Sequence, residues 1–284
     1  TCAATLTIRP DNATVSLSVA SVAAGDKSVT LALNVPNAAG STGRVNVLRR
    51  EAGSTGAFTQ VGTAPNTATT FTDNSGVDAD ARAYQYRLEL TNGCGTVLAS
   101  QEHTTILTKA TAAEPTDTRL TGKTEVTWTA YQGFAVKEYR VSRVVDNGPA
   151  QLLATVAAGA PLRAEFQLSK DGFNQCFRVE AVSSDAQPLL ARSNDACVDF
   201  ANRLGFYNII TPNNDGKNDV FIIDNVQLYP SNTLAVFNRW GAQVYQTRNY
   251  RNTFGGEGCG AGMYYYLFKL QDGTSYKGWF EIAR

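Results

Sequence analysis

Residues 84–90 read Tyr84-Gln85-Tyr86-Arg87-Leu88-Glu89-Leu90, and their strict alternation sets the reading of the chain. A β-strand points successive side chains to opposite faces, so Tyr84, Tyr86, Leu88 and Leu90 share one face and Gln85, Arg87 and Glu89 the other. That is the pattern of a half-buried antiparallel strand. Residues 27–35 repeat it, with Val29, Leu31, Leu33 and Val35 on one side. Turn-forming clusters punctuate such runs at Gly53-Ser54-Thr55-Gly56, Asp73-Asn74-Ser75-Gly76, Asn92-Gly93 and Asp146-Asn147-Gly148-Pro149. No stretch sustains a helical apolar period between a cap and a stop signal. The sequence therefore predicts an all-β chain.

The pattern also recurs. Val45-Asn46-Val47-Leu48-Arg49-Arg50 followed by Phe58-Thr59-Gln60-Val61-Gly62-Thr63 is echoed by Tyr139-Arg140-Val141-Ser142-Arg143-Val144 followed by Gln151-Leu152-Leu153-Ala154-Thr155-Val156. Tyr84–Leu88 is echoed by Gln175-Cys176-Phe177-Arg178-Val179. Two copies of one sandwich of roughly 100 residues fit this spacing. The copies resemble fibronectin type III or immunoglobulin-like modules. Gln175 departs from that resemblance, since the paired-aromatic pattern calls for Tyr there and a tyrosine corner depends on it. Alternation lapses near Lys109–Glu114 and Asp199–Leu204. The expected organisation is three consecutive immunoglobulin-like antiparallel β-sandwiches, at residues 1–109, 110–202 and 203–284.

Composition narrows the function classes. The 284 residues suit two or three domains. Charged residues are 18%, with 25 Lys+Arg against 25 Asp+Glu, so no net field draws in nucleic acid or an anionic membrane. No apolar run approaches the roughly 20 residues that span a bilayer, so direct membrane insertion is not expected. The start, Thr1-Cys2-Ala3-Ala4-Thr5, lacks an initiator Met, a basic segment or an apolar leader. The chain is expected to be the end of a longer precursor with its export signal upstream.

Five cysteines, one histidine and no Cys-x-x-Cys spacing favour disulfides over zinc. If Phe177, Val179 and Ala181 face inward, Cys176 faces outward, where a neighbouring strand can present Cys197. Cys2 and Cys94 lie at the two ends of the first domain and are the second expected pair. Cys259 is left over, as a partly buried free thiol or as a link to something outside the chain.

Catalytic chemistry finds little support. His103 is the only histidine, so no histidine triad or cluster can be assembled, and its Thr-rich run reads as a strand with a structural histidine. A glycosidase needs two carboxylates, but Glu89, Glu125, Glu138 and Glu180 fall on outward strand positions, where a solvated face explains them. No phosphate loop, dinucleotide fingerprint or Gly-x-Ser-x-Gly is present. The expectation is a protein without catalysis or cofactor. One loop offers calcium an incomplete ligand set: Asn213, Asp215 and Asp219 in Asn213-Asn214-Asp215-Gly216-Lys217-Asn218-Asp219. It lacks the bidentate Glu of an EF-hand, and Asx side chains capping their own backbone explain the same residues.

Aromatic residues crowd the end of the chain. In 263–270, Tyr264, Tyr266 and Phe268 share one face and Tyr265 and Leu267 the other. A strand apolar on both faces is central to a core or half exposed on a binding surface, and sugar stacking is the functional alternative to core packing. Asp272-Gly273 signals a two-residue hairpin into the strand Tyr276–Ala283.

The same region carries ordered sequence blocks. They are Asn208–Asp219, Val236-Phe237-Asn238-Arg239-Trp240-Gly241, Gly262-Met263-Tyr264-Tyr265-Tyr266 and Tyr276-Lys277-Gly278-Trp279-Phe280-Glu281-Ile282-Ala283-Arg284. Over residues 204–284 this order resembles the gliding-motility-associated C-terminal domain, the type B sorting domain of the type IX secretion system of Bacteroidota. Modules of the fibronectin type III or immunoglobulin-like kind often precede such domains, and Cys94-Gly95, His103–Leu107 and Val126-Thr127-Trp128 match the run found there. The resemblance implies a folded cargo that crosses the periplasm to the cell surface, engaged by the outer-membrane translocon and a porin-like type B partner. The family's motif positions fall on Asn238, Arg239, Trp240, Gly241, Lys277, Gly278 and Arg284. Arg239 and Arg284 are the expected polar recognition residues, because guanidinium presents five donors in a fixed fork. Gly241 and Gly278 are expected to serve the backbone. The alternative from another class is an adhesin or carbohydrate-binding stalk using the terminal aromatics.

Overall fold

The computed structural model describes residues 13–36, 41–112, 123–167, 172–200 and 202–284. Among them the regular structure is β throughout, apart from a single 3-10 turn at Val226–Leu228. The strands of the first copy are β1 (Ser16–Val22), β2 (Val29–Asn34), β3 (Ser41–Glu51), β4 (Thr59–Pro65), β5 (Thr70–Asp73), β6 (Tyr84–Asn92), β7 (Val97–Ala99) and β8 (His103–Thr104). Those of the second are β9 (Thr108–Ala112), β10 (Lys123–Trp128), β11 (Val136–Val145), β12 (Gln151–Ala157), β13 (Arg163–Gln167), β14 (Asn174–Ser183), β15 (Leu190–Arg192) and β16 (Ala196–Asp199). The last region holds β17 (Gly205–Phe206), β18 (Ile209–Ile210), β19 (Ile223–Asp224), β20 (Asn232–Phe237), β21 (Gln243–Arg248), β22 (Gly262–Leu270) and β23 (Ser275–Ile282). Strands β1–β16 belong to one compact unit and β17–β23 to another.

The repeat read from the sequence is a repeat of topology. In the first copy a β1-β2-β5 sheet faces a β4-β3-β6-β7 sheet, with β8 added on β6; in the second, β9-β10-β13 faces β12-β11-β14-β15, with β16 added on β14. The correspondence reaches single bulges: register shifts between Val47 and Leu48 where β3 meets β4, and between Val141 and Ser142 where β11 meets β12. It reaches single hydroxyls too. Ser100 Oγ accepts the Leu88 N–H at 2.9 Å, and Ser193 Oγ accepts the Val179 N–H at 2.9 Å. Such bulges increase local twist, which lets two short sheets close over one core.

Each copy wraps its own core. Tyr86, Leu88, Leu90, Leu31 and Val29 meet in the first; Val126, Trp128, Val141, Phe177 and Val179 meet in the second. Each fully buried side chain of this size contributes about 1.5–3 kcal/mol of apolar transfer. Tyr84 makes the tyrosine corner of the first copy, its hydroxyl accepting the Asp78 N–H at 2.9 Å. Gln175 stands at the matching position of the second copy and is buried, with the Arg143 guanidinium at 3.4 Å from its Oε1. Cys176 and Cys197 are paired in the β14–β16 register and joined as a disulfide. Cys94 is an exposed free thiol, and its expected partner Cys2 lies outside the described residues, as does the Ala113–Glu114 end of the expected domain boundary.

Within this unit the two copies interlock. Arg192 Nη1 donates to the carbonyls of Val22 at 3.1 Å and Ala23 at 2.8 Å, while its Nη2 reaches Asp195 at 2.7 Å. His103 is buried, with Nδ1 at 2.8 Å from the Tyr131 hydroxyl. That hydroxyl accepts the Ala20 N–H at 3.1 Å, and with the His103 ring also bonded to the Leu17 backbone, Nδ1 is left to accept the Tyr131 proton. Gly133 must be glycine here, since a Cβ at its φ of +145° would fall 2.2 Å from the imidazole. The burial pushes the His103 pKa down to about 4.

The second unit is one five-stranded sheet, β18-β23-β22-β20-β21, with a thin opposing layer made by the β17–β19 ladder and irregular chain. Phe206, Phe221, Val226, Tyr250 and Phe254 come from that layer onto Tyr266, Phe268 and Phe280 of the sheet. β18 pairs in parallel with Glu281 and Ile282, so the end of β23 is flanked on both sides. Leu270 N donates to the Thr274 carbonyl at 2.9 Å and Gly273, at φ +89°, lies inside the loop. The β22–β23 connection is thus a three-residue loop, where Asp272-Gly273 predicted two. A type I turn followed by glycine in the left-handed region absorbs the extra residue.

Candidate functional site

The loop after β20 repeats that hairpin geometry and displays two of the expected recognition residues. Asn238 N donates to the Ala242 carbonyl at 2.9 Å, and Gly241 N donates to the Asn238 carbonyl at 3.0 Å. Asn238 Oδ1 accepts the N–H groups of Trp240 and Ala242, each at 3.0 Å. Gly241 sits at φ +81°, a conformation that any Cβ would strain. Asn238 and Gly241 therefore build the loop. Arg239 and Trp240 are what it displays: the guanidinium lies 4.1 Å from the indole centroid and Trp240 is 75% exposed. A cation held on its own indole presents a flat, charged platform to solvent.

Gly278 has a different task. It faces Tyr266 across the β22–β23 ladder, and a Cβ there would come within 2.5–2.7 Å of the phenol ring and its oxygen. Tyr266 in turn stacks on Phe206 at 5.1 Å and packs on Phe221 at 5.1 Å. Glycine at 278 is the space that the ring occupies. Lys277, its neighbour, points to the opposite, solvent-facing side, level with Leu267. Arg284 Nη2 donates to the Gly256 carbonyl at 3.2 Å, which ties the chain end to the loop before β22.

Register brings most of these residues together. The β20–β21 loop, the Thr211–Asp219 loop after β18, the loop before β22 and Arg284 after β23 all lie at the end of the sheet where β22 begins. Lys277 and Gly278 stand further along, near the middle of β23.

The Asx loop is held by its own backbone. Asp219 accepts the N–H groups of Asn213 at 3.0 Å and Asn214 at 2.7 Å on Oδ1, and of Gly216 at 2.8 Å on Oδ2. Hydrogen bonds from the Asn213 side chain and the Lys217 N–H hold Asp215 below the usual carboxylate range. Among the described residues no three His, Cys, Asp or Glu side chains gather as a metal-holding group. The four strand glutamates stand on solvent-facing positions and are partly buried; Glu89 pairs with Arg87 at 2.6 Å and Glu138 with Arg140 at 2.9 Å. Cys259 is buried against the last core.

What the residue patterns missed is the extent of the solvent-facing side of this sheet. Phe237, Tyr265 and Trp279 are paired in one row across β20, β22 and β23. Tyr265 is 46% and Trp279 45% exposed, and Met263 and Ile209 extend the apolar face on the adjoining row. The signal was present in 263–267, where Met263, Tyr265 and Leu267 occupy positions that elsewhere carry charge. It becomes legible as a face only once the register is known.

Residues 204–282 match the CHU_C type IX secretion signal domain. That class of domain implies recognition by the type IX secretion machinery and export to the cell surface or the extracellular space. Among solved structures, the chain is similar to a tetra-tandem repeat in the extending region of a large adhesion protein, at 12% identity and TM-score 0.28, covering 96% of this chain and 74% of that one. It is also similar to the FN1-FN3 domains of chicken CNTN1, at 11% identity and TM-score 0.24, covering 95% of this chain and 98% of that one. No curated protein matches the chain. Among the described residues no helix is long and apolar enough to cross a membrane.

Proposed function

We propose that residues 203–284 are a type B sorting signal, read as a folded surface, in a non-catalytic surface protein that also carries β-sandwich modules at 1–109 and 110–202. The single observation that carries this reading is the match of 204–282 to a type IX secretion signal domain. In this reading the protein passes through the periplasm and is taken up by the outer-membrane translocon with its porin-like type B partner. Arg239 and Trp240, displayed at the hairpin tip, meet the acceptor. Asn238, Gly241 and Gly278 act by shaping the chain, and Arg284 acts by pinning the last strand.

Arg239→Ala in the full chain tests the assignment. An exposed side chain costs within about 0.5 kcal/mol of stability, so the variant should melt like the parent while less of it reaches the surface. A sharp fall in melting temperature would make Arg239 structural and end the assignment. The exposed Tyr265 and Trp279 rings favour one other reading, an adhesin or carbohydrate-binding stalk. A glycan array probed with the full chain separates the two, because the sorting reading predicts no saturable sugar binding.

A further inference from the structure

We propose that the solvent-facing side of the β18-β23-β22-β20-β21 sheet is the docking platform for a protein acceptor of the secretion machinery, one whose own surface is apolar at the centre and acidic along one side. This rests on the sorting reading and names the surface that the machinery reads. The first ground is composition by position. On β6 the outward side chains are Gln85, Arg87 and Glu89, and on β14 they include Arg178 and Glu180, as a solvated sheet face requires. The outward residues of β22 are Met263, Tyr265, Leu267 and, at its far end, Lys269, and Tyr265 is flanked by Phe237 and Trp279 in the same row. An apolar row continuous over three strands is not needed to fold the sheet, whose opposite side already buries Tyr264, Tyr266, Phe268 and Phe280. Contiguous exposed patches of this kind mark interaction sites.

The second ground is shape and charge. Phe237, Tyr265, Leu267, Lys277 and Trp279 line a shallow groove of about 430 Å³. Register sets Arg248, Thr233 and Lys269 in one row at one end of the same face, with Lys277 between that row and the aromatic one. Glu281 is the acidic residue among these positions, against Arg248, Lys269 and Lys277. A basic margin on one side of an apolar row is complementary to an apolar strip with an acidic margin on the matching side, and such pairing steers encounter and fixes orientation. Aromatic rings that bind sugar are flanked by hydrogen-bonding groups, because hydroxyls must be satisfied when desolvated. Tyr265 is surrounded by Phe237, Leu267, Met263 and Trp279, and only Trp279 has charged neighbours on the same face, Lys277 and Glu281; the apolar surroundings of Tyr265 favour protein over glycan. The Arg239–Trp240 loop rises from the strand that carries Phe237, so the platform is continuous with the displayed motif.

The test uses the full chain in cells with the type IX machinery. Tyr265→Ser with Trp279→Ser should leave the melting temperature near that of the parent and cut the surface-exposed fraction roughly tenfold or more, as loss of a central anchor does. Lys277→Glu should lower it separately, and Tyr265→Phe with Trp279→Phe should restore it. If the parent itself reaches the surface without the machinery, the sorting reading fails. If the parent depends on the machinery but the serine variant is exported like it, the platform fails alone. Three results would reassign the face: a dimer in sedimentation abolished by the serine pair, giving it to a second copy; binding to vesicles containing anionic lipid abolished by that pair, giving it to a membrane; and saturable glycan binding lost with it.

Discussion

Gly278→Ala is the sharpest structural test of the last domain. The added methyl would sit 2.5 Å from Tyr266 Oη and 2.6 and 2.7 Å from two ring carbons, well inside van der Waals contact. The ring has little room to withdraw, because Phe206 stacks on it at 5.1 Å and Phe221 packs at 5.1 Å. Overpacking of this kind costs about 1–3 kcal/mol. For a domain of this size each kcal/mol lowers the melting temperature by about 4–8 °C. Calorimetry of the full chain should show that loss in one transition, and hydrogen exchange should place it in the β22 and β23 amides. Tyr266→Leu removes the clashing ring, so Gly278→Ala should cost far less in that background, with a coupling of about 0.5–3 kcal/mol in the double-mutant cycle. Equal cost in both backgrounds, or no cost in the parent, would refute the role given to Gly278.

Other expectations follow from the same reasoning. His103 is held at a pKa of about 4 against about 6.5 in the unfolded chain, so the unfolded state takes up the proton first as pH falls. The His103 contribution to the stability of the first unit is complete above pH ~6.5, declines from there to pH ~4 by about 3 kcal/mol, and changes no further below; urea titrations of the parent at stepped pH check this, and a flat profile over that interval would contradict it. The Asx loop is expected to need no ion: calcium should leave the melting temperature of the full chain unchanged, and chelation should too. Asp219→Ala should lower it with or without calcium, since three N–H groups lose their acceptor. A calcium-dependent rise lost in Asp215→Ala would establish a metal site.

Legibility varied with the range of the interaction involved. Period-two alternation at 27–35 and 84–90 reported directly on the face each side chain takes, because that is a property of the strand alone. The Cys176–Cys197 pair was readable for the same reason: once Phe177 and Val179 face inward, Cys176 must face out. The β22–β23 loop was read one residue short, since Asp-Gly favours a two-residue turn and also fits the left-handed position of a three-residue one. The role of Asn238 was not separable from that of Arg239 by sequence, and Gly278 was expected to serve the backbone and not a neighbouring ring. One builds a loop through two N–H acceptances and the other vacates space for a ring from a neighbouring strand, and both depend on partners fixed by the fold. The aromatic row of Phe237, Tyr265 and Trp279 was hidden more deeply, because its members come from three strands and only register aligns them.

The central claim is that the last domain is itself a sufficient and fold-dependent address. Residues 200–284 fused behind an unrelated reporter that is exported to the periplasm test it most directly, with surface protease accessibility as the readout in cells with and without the type IX machinery. The account predicts that the reporter reaches the surface only where the machinery is present. It also predicts loss of delivery when Tyr276–Arg284 is removed, because β23 is paired with β22 and, at its end, with β18, and its deletion opens the sheet. A reporter that reaches the surface equally well without residues 204–284 would contradict the account.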